Sequence, residues 1–301
     1  MDVVVLGSAN LDIVVTVPHH AKTGETVLGG DHRQIPGGKG ANQAIASARL
    51  GRPTGFIGMV GDDAPGQALK AAVVSAGVDV SELFVTAGHP SGLALISVDR
   101  SGDNAIVVSP GANAALGAPD IENSPQLRDA SVLLLQLETP IPTVLAAARA
   151  AGGTVILNPA PAPENPLPPE LLAEVDVLVP NEIELAMLAG VDPDALATDE
   201  GIVQAALSID ADVVVTLGER GAMVVANGVG TAVPAPTVNP VDTTAAGDSF
   251  CAALADGLLR GSLVEAAQWA VRVGAATTLR EGASSSLPTR DEVEVLLAGT
   301  S

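Results

Sequence analysis

Asp248 stands directly behind three small residues, Ala245, Ala246 and Gly247, in the stretch VDTTAAGDSFCAALADGLLRG. Phe250, Leu254 and Leu258 follow at i, i+4 and i+8, which predicts one apolar helical face from Ser249 onward, with the small residues forming the approach to it. The start of a helix leaves backbone N–H groups unpaired and carries partial positive charge, and side chains of one carbon or none let an anion reach that backbone. A carboxylate there repels a bound phosphate unless its task is to take a proton from the group attacking that phosphate. The pattern points to phosphoryl transfer, with Asp248 as the base beside an anion site at Ala245, Ala246 and Gly247.

Other segments supply groups suited to a small polar ligand. In PGGKGANQAIASARLG, glycines including Gly38 lead into a second helix bearing Asn42, with Lys39 among them. Lys39 is followed by glycine rather than Ser or Thr, so this is no Walker loop, and no GxGxxG follows the first strand. The segment suits a polyhydroxylated ligand, for which Asn offers both donor and acceptor; a plain tight turn is the alternative. GSANLD places Asn10 and Asp12 just past strand one, where open α/β sheets bind ligands. Glu138 in LLLQLETP, Asn181 and Glu184 in LVPNEIEL, and Thr216, Gly218 and Gly221 in VVVTLGERG fall at further strand ends. Glu138 or Glu184 taken alone could simply cap a helix. Together these groups describe one shared crevice. The four histidines, His19, His20, His32 and His89, show no metal-ligand spacing and fall in loop or hairpin regions.

Positioning such groups takes a scaffold. Strand-like runs are predicted at Val3 to Leu6, Thr54 to Gly58, Ser131 to Leu137, Thr154 to Leu157, Val175 to Val179 and Val213 to Leu217, mostly short apolar blocks of the kind buried on both faces of a parallel sheet. Alanine- and leucine-rich helical patterns alternate with them, several ending in Gly, so one doubly wound α/β domain over residues 1–301 is expected. Two segments, about 13–35 and 91–109, read instead as inserted hairpins that could form a small β-lid.

The chain has 14 basic and 35 acidic residues, a net charge of −21 that argues against nucleic-acid and anionic-membrane partners. With one Trp, three Phe and no Tyr, base stacking is excluded as a general binding mode. Genome composition and a salt-adapted surface both account for the acidity. The lone Cys251 sits in the apolar helix as a small core residue, which fits a reducing cytoplasm. MDVVVLGSAN carries an acid where a secretory signal carries bases, and the longest uncharged run is broken by Gly, Asn and Pro.

Taken in order, GSANLD, GGKGANQA, GANAAL, QLETP, LNPAPA, PNEIE, TLGERG and VDTTAAGD resemble the ribokinase-like (PfkB) carbohydrate kinases across nearly the whole chain. The resemblance implies a three-layer αβα fold, a mostly parallel sheet carrying a β-lid, and transfer of a phosphoryl group from ATP. Asp248 then matches the general base, and the Ala245, Ala246 and Gly247 amides the anion hole. Asn10, Asp12, Gly38, Lys39, Asn42 and Glu138 match the sugar site. Asn181 and Glu184 match the element that organises Mg2+ and phosphate, while Thr216, Gly218, Glu219 and Gly221 belong to the nucleotide loop. A K+ site maps onto Asp242, Thr244, Thr277, Arg280, Gly282 and Ser286. Fructokinase-like members usually differ where Lys39 and Gly40 stand, so the implied acceptor is D-ribose at O5. Fructose, 2-keto-3-deoxygluconate and adenosine are the alternatives, as is a sugar-binding protein without turnover. A homodimer through the lid is also implied. Two positions depart from the family pattern: Val271, where Asn or His commonly faces adenine, and Thr277, where a small apolar residue is common.

Overall fold

Val3, Val4, Val5 and Leu6 are all 0 % exposed because successive side chains of this strand enter two separate cores. Val3 and Val5 join the core containing Ala44, Leu254 and Ala270, from the helices Lys39–Arg49, Ala246–Leu258 and Leu263–Thr277. Val4 and Leu6 join the one containing Val144, Leu185 and Ile202, from Ile141–Ala150, Glu182–Ala189 and Asp199–Ala206. A sheet covered on both faces by helices follows directly, giving three layers.

The computed structural model describes residues 1–163 and 165–298. Its strands, in chain order, are β1 (Val3–Leu6), β2 (Asn10–Thr16), β3 (His32–Gly37), β4 (Thr54–Gly61), β5 (Leu83–Thr86), β6 (Gly92–Val98), β7 (Asn104–Ser109), β8 (Val132–Leu135), β9 (Thr154–Leu157), β10 (Val177–Leu178), β11 (Asp212–Thr216), β12 (Ala222–Ala226) and β13 (Val229–Val233). Nine of them form the main sheet in the order β13-β12-β11-β10-β9-β8-β1-β4-β5. The pairs from β5 to β11 are parallel and the last two antiparallel.

The β12–β13 hairpin and β5 were not predicted. Asn227 and Gly228 form the hairpin's two-residue turn, at φ 51° and 77°. An Asn-Gly pair flanked by β-branched residues is a recognisable primed turn, so the signal was present in the sequence. The two inserted segments do form hairpins, β2–β3 and β6–β7, joined through a parallel β2–β6 pair into a four-stranded sheet in the order β3-β2-β6-β7. Asn10 and Asp12, just past strand one as expected, lie within β2. They occupy the root of the lid.

The Asp248 helix begins at Ala246, three residues before the predicted start. Ala246 and Gly247 have no large apolar side chain, so the apolar stripe could not reveal the first turn. Ala252, Ala253 and Ala255 on this helix meet the following one at Ala266, Ala267 and Ala270, all 0 % exposed. A Cβ on Gly257 would come within 2.6 Å of Ala266 Cα, so the two backbones pass as closely as glycine and alanine permit. The helix that presents Asp248 is thereby clamped at its far end.

Candidate active site

Five strands of the parallel region release the chain at the same end of the sheet, and the polar residues just beyond them converge there, as ligand-binding groups do in doubly wound folds. Leu6 leads to Ser8 and Asn10, Leu135 to Glu138, Leu157 to Asn158 and Leu178 to Asn181, while Thr216 ends β11. A cavity of about 170 Å³ lies among them, lined by Lys39, Asn158, Asn181, Glu184, Thr216 and Gly247 together with Asp248 and Cys251.

Asp248 occupies the third position of its helix, behind an N-cap, Ala245, at φ 60° that offers no capping side chain. Its carboxylate caps nothing. Oδ2 accepts from Asn42 Nδ2 at 3.0 Å and Oδ1 from Gln43 Nε2 at 3.2 Å. Of the Ala245, Ala246 and Gly247 amides expected in the anion hole, that of Ala246 donates to the Thr243 carbonyl at 3.2 Å, whereas those of Ala245 and Gly247, and the Asp248 amide next to them, have no partner among the described residues. Burial lifts the Asp248 carboxyl above its ordinary range, opposed by Lys39 and the two side-chain amides. Burial alone would lower the Lys39 ammonium, but Asp248, Glu138 and Glu184 outweigh it and hold Lys39 charged. The same burial pushes the Cys251 thiol well up, so it contributes an unreactive wall.

The expected sugar residues surround this centre. Glu138 Oε2 accepts from the Ser8 hydroxyl, from the Lys39 amide at 3.3 Å and from Asn10 Nδ2 at 3.4 Å. Gly38, at φ 92°, caps the Lys39–Arg49 helix, and a Cβ there would lie 2.7 Å from the Asn10 nitrogen. Glycines clear space on both sides of β2: added Cβ atoms on Gly92 and Gly37 would run into Asn10 Oδ1 and Asp12 Oδ2. Asp12 is raised to about 7 by burial, with Glu138 and Asp248 adding repulsion and Lys39 partly relieving it. Asn42 Oδ1 is buried and has no partner among the described residues.

Asn181 and Glu184 form a reciprocal capping box at 2.8 and 2.9 Å, so the helix-cap alternative and the site placement are both realised. One Glu184 carboxylate oxygen and the Asn181 side-chain Nδ2 remain outside the cap. A larger groove of about 750 Å³ adjoins the cavity and shares Thr216 and Gly247 with it. Gly218, Glu219 and Arg220 form one wall, and Val238, Phe250 and Val271 provide apolar surface. Gly221, at φ 97°, closes that turn against the Val233 carbonyl, where a Cβ has no room.

Asp242 ties two loops together, accepting from the Thr244 hydroxyl at 2.6 Å and amide at 2.9 Å and from the Gly282 amide at 2.8 Å. Burial opposes ionisation there, but the Thr244 hydroxyl and the two amides keep the Asp242 carboxyl below its ordinary range. Thr277 and Ser286 are 0 % exposed, while the Arg280 guanidinium is bonded to Glu292 at 2.9 Å, leaving Arg280 only its backbone to offer a cation.

Sequence reasoning missed Ser8, Gln43, Asn113, Gln136 and Asn158. Asn113 gives Nδ2 to Asn10 Oδ1 at 2.7 Å, and Asn158 lines the cavity. All five are uncharged, and their signal is modest: polar residues inside or directly after apolar runs. Among the described residues no group of three or more His, Cys, Asp and Glu could hold a metal ion, and no helix is long and apolar enough to cross a membrane.

The profile of the pfkB family carbohydrate kinases matches residues 1–290, and the chain belongs to that family. Within it, the chain is 39 % identical over 298 residues to a ribokinase of Haemophilus influenzae, covering 96 % of this chain and 95 % of that protein. It is 33 % identical over 307 residues to a deoxyribokinase of Salmonella typhi, covering 99 % of each. The fold matches the structure of Arabidopsis thaliana ribokinase complexed with ribose and ATP at a TM-score of 0.88, with 34 % identity and 98 % of each chain covered.

The Asp12 environment has a measurable cost. Its folded value near 7 exceeds the ordinary 3.8, so the folded state binds the proton more tightly and stability falls as pH rises from about 4 to 7. Asp12→Asn removes this charge. Denaturant unfolding should show the variant more stable at pH 8 by up to about 4 kcal/mol, with the gain vanishing toward pH 4. A pH-independent difference would contradict the assignment.

Proposed function

We propose that this protein transfers the γ-phosphoryl group of ATP to O5 of D-ribose. The observation that carries the proposal is a single crevice in which a buried carboxylate at a helix N-terminus faces a row of hydroxyl-reading groups beside a long groove. Membership of the carbohydrate kinase family and the ribokinase relatives support ribose as acceptor.

Asn10, Asp12, Lys39, Asn42 and Glu138 hold the sugar, with the unpartnered Asn42 Oδ1 ready to accept from a hydroxyl. The sugar's primary hydroxyl is thereby held beside Asp248. As the O5 proton passes to Asp248, O5 attacks the γ-phosphorus, the bond to the β,γ-bridging oxygen breaks, and ADP leaves with that electron pair. The free Gly247 and Asp248 amides, with the positive end of the helix behind them, meet the charge that develops on the transferred group. Lys39, held charged by its carboxylate neighbours, favours the ionised form of the base and partly offsets its burial. The nucleotide lies in the 750 Å³ groove, where apolar Val271 contacts the base without a polar reader.

Mg2+ bound with the nucleotide would neutralise phosphate charge; the Glu184 carboxylate oxygen left over from the Asn181–Glu184 cap suits an ion that keeps most of its water and phosphate ligands, while Asn181 Nδ2, a donor, suits a phosphate oxygen. The Asp242 loop suits a K+ ion, which the Asp242 carboxylate and backbone oxygens of Thr244, Thr277, Arg280, Gly282 and Ser286 would hold, and which would steady the loop before Ala245. The exposed lid strand, with Ile106 56 % and Val107 66 % exposed, supports pairing of two lids in a homodimer, which a monomer mass in sedimentation would overturn.

Assayed with Mg-ATP in potassium, ribose should exceed 2-deoxyribose by roughly 10- to 100-fold in kcat/KM, since a missing hydroxyl strands buried polar partners. Fructose or adenosine should be poorer still. If fructose, adenosine or 2-deoxyribose surpasses ribose tenfold, the acceptor assignment fails. Replacing potassium with a bulky organic cation should lower kcat, and an unchanged rate overturns the cation site.

A further inference from the structure

Two fully buried amides lie beneath the base. Gln43 and Gln136 are both 0 % exposed, and neither lines the cavity. A carboxylate can only accept, so Gln43 must turn Nε2 toward Asp248 Oδ1, which it meets at 3.2 Å; the same Nε2 lies 3.5 Å from Asn158 Oδ1. That choice turns Gln43 Oε1 away from the base, where it needs a donor of its own. Gln136 Nε2 supplies it at 2.5 Å. Gln136 Oε1 is then left buried without a partner among the described residues, lying where a Cβ on Gly7 would have to sit. An unpartnered buried carbonyl weakens the fold, so this pair is poorly explained as a stabilising device. What it does accomplish is to fix the sense of the Gln43 amide.

We infer that Gln43, oriented by Gln136, is a positioning residue that holds Asp248 Oδ1 and so reserves Oδ2, beside Asn42, to take the proton from the attacking hydroxyl. This rests on the kinase reading and names how its base is aimed. No new chemical step is added: the proton goes to Oδ2 as the O5–phosphorus bond forms. The other ionisable groups around Asp248 are Lys39 on the Gln43 helix, Glu138 after β8, Asp12 on β2, Glu184 on the capped helix and Cys251 on its own helix. None of them bonds Asp248 directly, which leaves Asn42 and Gln43 as its two donors.

The test compares the wild type with Gln43→Met and with the double variant Gln43→Met, Gln136→Leu. The double variant removes the amide pair and its stranded carbonyl together, and should fold with a melting temperature near that of the wild type. In both variants kcat for ribose should fall roughly 10- to 100-fold while KM for ribose and for ATP stays within about 3-fold, as expected for a loss confined to the transition state. The acidic limb of the kcat profile should move to higher pH, because a donor to the ionised form is lost. A folded double variant with kcat within about 3-fold of wild type and an unmoved limb overturns the inference, as does a loss expressed wholly in KM. Both outcomes leave the kinase reading standing, whereas a wild type inactive on every sugar and nucleoside brings down both.

Discussion

Placing an ionised carboxylate in a water-poor site is unfavourable unless other groups replace the hydration it loses. Around Asp248 that replacement comes from the Lys39 ammonium and the amides of Asn42 and Gln43. All three partners come from the first turns of a single helix, Lys39–Arg49, so this helix must sit against the start of the Ala246–Leu258 helix in one register. Gly40 seats the same helix against the chain leaving β1, since a Cβ there would fall within 2.6 Å of the Gly7 carbonyl carbon and the Ser8 nitrogen. The contact between two helix starts thus fixes Lys39 and Asn42, the Asp248 carboxylate and the free Gly247 and Asp248 amides relative to one another. Proximity of this kind is the larger part of what a kinase contributes to phosphoryl transfer.

The lid follows from the same centre. Its first rung pairs Asn10 with Gly37 and with Gly92, so the small sheet is rooted on one of the polar side chains of the crevice. Asn113 holds Asn10 from beneath, and Asp12 rises one turn of the pleat further out, toward the carboxylates. The raised Asp12 value marks a place where ligand recognition and stability of the empty protein are in conflict.

Much of this was legible in the sequence. The short apolar runs located six strands of the main sheet because strands buried on both faces leave no ambiguity of side, and the converging strand ends gave Asn10, Asp12, Glu138, Asn181, Glu184 and Thr216. Charge and small residues marked Asp248, Lys39 and their glycines. The true start of the Asp248 helix was hidden, since Ala246 and Gly247 carry no periodicity signal, and with it the engagement of the Ala246 amide by Thr243 and the free amide of Asp248. Gln43 and Gln136 were invisible because an amide in a helix or at a strand end resembles an ordinary surface residue until its burial is known. Their significance lies in the third dimension, where one helix supplies the carboxylate with its partners and a distant strand end orients one of them.

The central claim is that Asp248 performs the proton transfer rather than holding the site together. Single-turnover phosphorylation of ribose by Asp248→Asn, with dissociation constants for ribose and ATP measured on the same protein, tests it most directly. The account predicts a transfer rate reduced by roughly 10²- to 10⁴-fold, with both dissociation constants within a few-fold of wild type. A transfer rate within a few-fold of wild type would contradict it.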